Sequence, residues 1–408
     1  MVRTVGNSKF QKSANDLLIM NLLRKGPVSR VELARLTGLQ QSTVTYCIQR
    51  LRENGIVYIT GEAAPHPQEK AGRRPMLVAL NPEAGCVAGI ELLAGMYRIV
   101  ISDICGSDLY VMEEGYRLTD GVVSAGALFE SRMEEAVEKA RILCSGLPLR
   151  GICLALPGIV SAGGSHIVDC WTHGLTGYDM DRVFSRYPFP LWLENDANCC
   201  AFSQLAGQSS LPSGSGHDSF IYFLFRSYEW EESVGGMEAV GMGAGLVLEG
   251  HLYRGFQGRA GEFRSRQVHS DVPQNLLSAE SVHVLRLRTG KELSDTFRNE
   301  VIDSLWTTWN LCDPRCVFIG GFDAVDINAM RETLDRRYST GLQKSFRDAC
   351  IFREDSRFDA CRGAVLLVME TLFQMPRVGE NARHDTPWWY GDSAGSGVGT
   401  VKKIKEDL

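Results

Sequence analysis

The apolar positions of the first eighty residues fall into three helical periods and then two extended runs. In "NDLLIMNLLRKGP", Leu18, Ile19, Leu22 and Leu23 share one helical face, and Gly26-Pro27 stops the helix. "SRVELARLTGL" opens with Ser29 and places Glu32 three residues on, a capping box that predicts a helix start. Gly38 suits the tight turn that follows. In "QQSTVTYCIQRLRENG", Val44, Cys47, Ile48 and Leu51 sit at i, i+3, i+4 and i+7, a buried stripe, with Gly55 as C-cap. Helix, short turn and helix in this order predict a helix-turn-helix. "IVYIT" and "MLVAL" read as strands around the Pro-, Gly- and charge-rich "GEAAPHPQEKAGRRP", a hairpin with a long tip, or wing.

Beyond residue 80 the pattern alternates between apolar β-rich runs and helical periods. "GCVAGIELLAGMYRIVISDICG" holds two strands broken at Ala94-Gly95 and leading to Asp103 and Gly106. A helical pattern covers 122–145, and "LRGICLALPGIVS" is a strand ending at Pro157-Gly158. "FPLWLENDANCCAFSQLAG" is a strand ending at Glu194 and then a helix. "SFIYFLF", "GMGAGLVLEGHLYRG" and "CVFIGGF" add strands closed by glycine turns. Strands alternating with helices make the class α/β. Acidic residues and glycines gather at strand C-terminal ends, where α/β folds place ligands.

Charge changes the picture by region. Residues 1–80 carry 12 Lys/Arg and 5 Asp/Glu, net +7; the remainder carries 31 and 44, net −13, which together give the overall −6. A basic head on an acidic body predicts that the head meets a polyanion. The outward face of the third helix holds Gln41, Ser42, Thr45, Tyr46, Gln49 and Arg50, side chains suited to base edges and phosphates in a major groove. Arg73 and Arg74 near the wing tip suit a minor groove or the phosphate backbone. Operator DNA is therefore the expected partner, met by a homodimer or higher homo-oligomer, since a two-fold dimer on a pseudo-palindrome is the usual use of this motif.

The twelve cysteines show no CxxC spacing and read as reduced, buried thiols. No apolar run approaches the roughly eighteen residues of a membrane span, and "MVRTVGNSKFQK" lacks the apolar centre of a secretory signal, so the expected location is cytoplasmic, with no membrane partner.

Several stretches together resemble the ROK family (repressors, open reading frames and sugar kinases), in its winged-helix repressor branch: "SRVELARLTGL" and "GRRP" in the head, and "ALPGIV", "LENDAN", "GMGAGLVLEGHLYRGFQGRAGE", "VFIGG" and "RGA" in the body. The resemblance runs from about residue 12 to 375 and rests on the order and spacing of these motifs. It implies an N-terminal winged helix-turn-helix domain followed by a two-lobed actin/hexokinase-like (ribonuclease H-like) domain with a sugar cleft between the lobes. The expected boundaries are 1–80 for the head, 81–193 and 194–375 for the lobes, and 376–408 for a disordered tail.

Three departures from the kinase members bear on function. Where the family's kinases carry an Asp-x-Gly-Gly-Thr-type phosphate turn, this chain has Glu91, Leu92, Leu93, Ala94 and Gly95, and its second glycine turn reads Gly241-Met242-Gly243. Phosphoryl transfer is mostly positioning and charge neutralisation, so losing both turns predicts loss of kinase activity, with no cofactor. The family's zinc set is also missing. Ser265 stands at the usual His position, no cysteine lies between Cys200 and Cys312, and His269 and His283 alone make no tetrahedral site. The sugar pocket is partly kept: Asn195, Asp196 and Glu262 match family sugar contacts and Pro157-Gly158 a cleft-lining turn, while Ser265 and Gly174 replace a His and an Asn.

In the kinases the residue matching Asp196 is the general base. Without phosphate turns it lacks an electrophile, which leaves two readings of Glu194-Asn195-Asp196: a clamp for sugar hydroxyls, or acids satisfied at a helix N-terminus. The expected function is a DNA-binding regulator whose body senses a sugar or sugar derivative. A sugar kinase with an appended head, and a regulator answering to a protein partner, are the alternatives. Trp388, Trp389 and Tyr390 are unusual in a polar tail and dock either on the body or on a second subunit.

Overall fold

In the computed structural model, residues 8–62, 75–117, 124–208, 219–230, 237–263, 295–375 and 388–389 are described. The chain divides into Met1–Ala84 with Leu372–Leu408, and Gly85–Thr371.

The first unit contains α1 (Ser8–Leu23), β1 (Val28–Ser29), α2 (Arg30–Thr37), α3 (Gln41–Glu53), β2 (Val57–Glu62) and β3 (Met76–Leu80), the strands pairing in the order β1-β3-β2. Ser29 caps α2 by accepting the Glu32 N–H at 3.2 Å. The capping box is only half made, because the Glu32 carboxylate accepts instead from the Arg35 guanidinium at 2.9 and 2.5 Å. A Schellman motif ends α3: Ile56 N–H reaches Leu51 O at 2.8 Å and Gly55, at φ +71°, reaches Arg52 O at 3.0 Å. Leu33, Val44, Ile48, Leu51 and Val78 fill the core between helices and sheet.

The buried stripe of α1 is Leu17, Ile19, Met20 and Leu23, while Leu18 and Leu22 are half-buried, one position off the sequence expectation. The physical reason is a second neighbour. Asn21 Nδ2 donates to Phe373 O at 2.9 Å, Arg24 lies over the Phe373 ring at 4.8 Å, and Trp389, buried, donates from Nε1 to Asp16 Oδ2 at 3.4 Å. Trp388 packs edge-on to Phe373 at 5.5 Å and donates to Leu372 O at 3.1 Å. The tryptophan pair thus docks on α1 of its own chain. Tyr390 and the rest of the expected tail lie outside the described residues.

The second unit holds two sheets of one design. The first contains β4 (Cys86–Leu92), β5 (Met96–Asp103), β6 (Asp108–Gly115), β7 (Leu149–Leu156) and β11 (Leu191–Asn195), in the order β11-β7-β4-β5-β6. Pairings among β4, β5 and β6 are antiparallel, and β4–β7 and β7–β11 are parallel. The second contains β12 (Phe220–Trp230), β13 (Met237–Leu248), β14 (His251–Tyr253), β15 (Cys316–Gly320) and β16 (Cys350–Phe352), in the order β14-β13-β12-β15-β16 with the same directions. Numbered within each sheet, both read 3-2-1-4-5. A small antiparallel sheet of β8 (Ile159–Val160), β9 (His166–Cys170) and β10 (Leu175–Asp179) is attached to the first lobe.

The helices are α4 (Ala125–Leu143), α5 (Asp181–Phe184), α6 (Asp196–Gln208), α7 (Asp295–Cys312), α8 (Ala324–Arg337), α9 (Gly341–Ala349) and α10 (Asp359–Phe373). The first sheet packs Ile90, Ile99, Ile152 and Leu154 against Phe129, Met133 and Val137 of α4. The second packs Ile221, Phe223 and Val317 against Phe297, Val301 and Leu305 of α7. Helix α10 lies so close to α6 that a Cβ on Gly363 would stand 1.7 Å from Cys199 O, which accounts for the glycine in "RGA". Head and body part at Ala84 rather than at 80, because the short 3₁₀ turn Pro82–Ala84 groups with the head. Strand β11 carries the first sheet through Asn195, past the expected lobe boundary at 193.

Candidate functional site

On α3 the structure leaves Gln41, Ser42, Thr45, Tyr46 and Gln49 exposed on one face. Tyr46 is 68% exposed for an aromatic residue, which nothing in the fold of the head requires. Thr45 Oγ1 donates to Gln41 O at 2.9 Å and Gln49 Nε2 to Glu53 Oε1 at 2.9 Å, so both sit ordered on the helix surface. Arg50 departs from the expected outward face. Its guanidinium turns inward and makes a two-pronged pair with the fully buried Asp16 of α1, at 2.9 and 2.5 Å. A fork of this kind fits a carboxylate, and a buried carboxylate demands a partner, so Arg50 fastens α3 to α1. Arg52, exposed near the end of α3, and Lys25 and Arg30, exposed at the entrance to α2, are cations that the helix-face reading omitted. Arg73 and Arg74 lie outside the described residues.

In the body, Pro157, Gly158, Asn195, Asp196 and Glu262 line one cavity of about 30 Å³, together with Trp171, Leu224, Arg226, Gly241, Met242 and Gly243. The loop carrying Glu262 is held against β13. Ala244 N–H donates to Gly261 O at 2.9 Å, Gly243 bridges to Glu262, and a Cβ on Gly261, at φ +86°, would meet Ala244 O at 1.7 Å.

The strand-to-helix junction at 194–198 is a dense polar knot. Glu194 accepts from Arg254 at 2.7 and 2.6 Å, from Asn198 Nδ2 at 2.9 Å and from Asn195 N–H at 3.1 Å. Asn195 uses both ends of its amide on the protein: Oδ1 caps α6 through Asn198 N–H at 2.9 Å, and Nδ2 donates to Gly158 O at 3.1 Å. Glu194 and Asn195, expected as part of a clamp, are therefore engaged in fixing the junction. Asp196 is buried, its Oδ1 accepts from Ala197 N–H at 2.9 Å and its Oδ2 faces Arg226 Nε at 3.5 Å. Burial pushes its carboxyl up to about 7; the Ala197 N–H works against that and the charge of Glu262 adds to it.

Arg226 also bonds Glu91, which is fully buried and accepts from Arg98 Nη1 at 3.0 Å as well. Glu91 stands where the kinases' Asp would begin the phosphate turn. Here two arginines engage it, and the turn after it is a tight hairpin closed by Leu93 N–H to Met96 O at 2.9 Å. The expected second glycine turn is not a turn: Gly241-Met242-Gly243 lies within β13, paired with Leu224–Arg226 of β12, and Met242 is buried in the core of the second lobe. His173 donates from Nε2 to Leu92 O at 3.2 Å, and burial pushes its imidazole down to about 4. Residues 264–294, with Ser265, His269 and His283, lie outside the described residues, and among the described ones no cluster of three metal-ligating side chains occurs. Nor is any described helix long and apolar enough to cross a membrane.

The comparisons agree with this anatomy. Residues 12–58 match the family model for winged helix-turn-helix DNA-binding domains. The xylose repressor of Bacillus subtilis (strain 168) is 24% identical over 274 residues, covering 66% of this chain and 64% of that protein. A putative xylose repressor of a Caldicellulosiruptor species is 27% identical over 260 residues, covering 63% and 59%. The alignments thus span less than two thirds of these relatives' length. A crystal structure of a ROK-family transcriptional regulator, described as a homologue of the E. coli Mlc protein, superposes with a TM-score of 0.62 at 15% identity over 89% of this chain and 97% of that one. A ROK glucokinase from Streptomyces griseus solved with glucose and AMPPNP superposes over 69% of this chain and 99% of that one, at TM-score 0.50 and 18% identity.

Head and body together define the class: a winged helix-turn-helix joined to a duplicated, two-lobed α/β fold. Over residues 12–58 the chain matches winged helix-turn-helix DNA-binding domains; beyond them it is similar to xylose repressors and shares the fold of a ROK-family transcriptional regulator.

Proposed function

We propose that the protein is a sequence-specific transcriptional repressor, acting as a homo-oligomer in the cytoplasm, whose body binds a sugar or sugar derivative and does not phosphorylate it. The observation that carries the DNA half is the exposed face of α3, where Gln41, Ser42, Thr45, Tyr46 and Gln49 project together from a helix whose opposite side is fully packed. The xylose repressors among its relatives support both the repressor role and a sugar effector. Glu91 and Asp196 support the absence of phosphoryl transfer, since both are tied to Arg226 beside the strand segment Gly241-Met242-Gly243. Selection of bound fragments from random duplex DNA, followed by gel shifts with and without aldoses, tests the reading. A single enriched motif whose binding responds to a sugar is the expected result. Salt-sensitive binding with no sequence preference would refute it.

A further inference from the structure

Glu91 lies toward the end of β4 and Arg226 in β12, the first strands of the two like-ordered sheets, so the same position of the design faces itself across the body. At that meeting point Glu91 is fully buried and the Arg226 side chain is 12% exposed. The cavity beside them is about 30 Å³, whereas sites for small organic ligands are about ten times that or more. Arg226 lines it and reaches Asp196, the carboxylate best placed to accept sugar hydroxyls.

We propose that Arg226 is a gate: its guanidinium bridges Glu91 and Asp196 across the two lobes, and an uncharged sugar enters by displacing it from Asp196. The proposal rests on the sugar-binding reading above and names the ligand class and the device that admits it. Charge decides the class. Glu91, Asp196 and Glu262 surround Arg226, and the further cation that reaches Glu91, Arg98, is shared with Glu113 at 2.6 Å. Arg254 is engaged by Glu194. Among the described residues that line the cavity, carboxylates outnumber cations, so a phosphate or carboxylate on the sugar is disfavoured there. Neutral hydroxyls replace the guanidinium on Asp196 as hydrogen-bond donors, and the freed Arg226 keeps Glu91 as its anchor. Because Arg226 stays on Glu91, the pair that joins the two sheets is kept, and the ligand is read through the exchange of partners on Asp196.

Two measurements on the full chain separate this from the reading beneath it. Without ligand, thermal melts of wild type, Glu91→Gln, Arg226→Met and the double variant test the bridge. Each single change leaves a buried charge short of one partner, so the double variant is expected to lose less than the sum of the two single losses. Strictly additive losses would overturn the bridge. Calorimetric titration with D-xylose, D-glucose, D-glucuronate and glucose 6-phosphate tests the gate. The neutral sugars are expected to bind, and to bind the double variant about tenfold more tightly because no competitor must leave. Equal or weaker binding by the double variant overturns the gate and leaves the sugar reading standing. Preference for the two anions overturns the ligand class. No binding of any sugar by either protein overturns the sugar reading and the gate with it.

Discussion

Replacing Arg50 by alanine should weaken the head without abolishing its recognition chemistry, whereas replacing Gln49 should do the reverse. Arg50 makes two charge-assisted hydrogen bonds to Asp16, whose side chain is fully buried while that of Arg50 is 24% exposed. Removing one partner of a fully buried pair costs about 3–5 kcal/mol, because the remaining charge stays desolvated. Partial exposure of Arg50 and the Trp389 Nε1 donor that Asp16 retains lower this to about 2–4 kcal/mol. At the middle of that range, amides of α1 and α3 that exchange through opening of the head lose about a hundredfold in protection. Gln49→Ala removes one surface bond to Glu53 and should change stability by no more than about 0.5 kcal/mol. It should cost about 1–3 kcal/mol of specific DNA affinity if Gln49 meets a base edge. Hydrogen exchange and gel shifts on the same two variants decide the matter. Unchanged exchange in Arg50→Ala, with specific binding alone reduced, would show that the arginine leaves Asp16 to read DNA.

Asp196, with its carboxyl pushed up to about 7, binds a proton in the folded state that the unfolded chain has released above about pH 4. Wild type should therefore lose stability relative to Asp196→Asn as pH rises from about 4 to 7; a constant difference in melting temperature across that range would contradict the burial argument. His173 has the opposite sign. Its folded value of about 4 lies below the unfolded one, so its contribution is present above pH 6.5, is lost as pH falls toward 4, and should vanish in a pH series on His173→Gln. Gly363→Ala should cost several kcal/mol in a urea melt, since the new Cβ meets the Cys199 carbonyl rather than a side chain that can swing away; wild-type stability would mean the helices separate freely. Trp389→Ala should lower the exchange protection of α1 about tenfold or more, and a null effect would remove the tryptophan from the core of the head.

Much of the architecture was legible because local periodicity decided it. The Val44–Cys47–Ile48–Leu51 stripe, the Ser29 cap and the strand-to-helix change at Glu194–Asp196 each need only a few neighbouring residues, and each element lies where its pattern put it. What escaped depended on partners far along the chain. Arg50 looks outward on a helical wheel and turns in because Asp16 is buried 34 residues earlier. The face of α1 slipped by one position because the Phe373 and Trp389 side chains also needed covering, and no window on α1 contains them. In the body, Asn195 and Asp196 were visible as candidates, yet Arg226 was not singled out. Its signal was present, a lone cation closing the apolar run "SFIYFLFR", where a charge at the end of a buried strand calls for a carboxylate. Which carboxylate it met depended on bringing Glu91 from the other sheet.

The docking of Trp388 and Trp389 on the first helix also sets a timetable. Ribosomes add about 5–20 residues per second, so roughly 15–60 seconds separate the emergence of Ala84 from that of Trp389. Throughout that interval a nascent chain carries α1 and α3 with Asp16 paired to Arg50 but with the tryptophan side of α1 bare. The head, made before the body, is thus finished after it, and helix α1 is completed only when the whole of the body has been made.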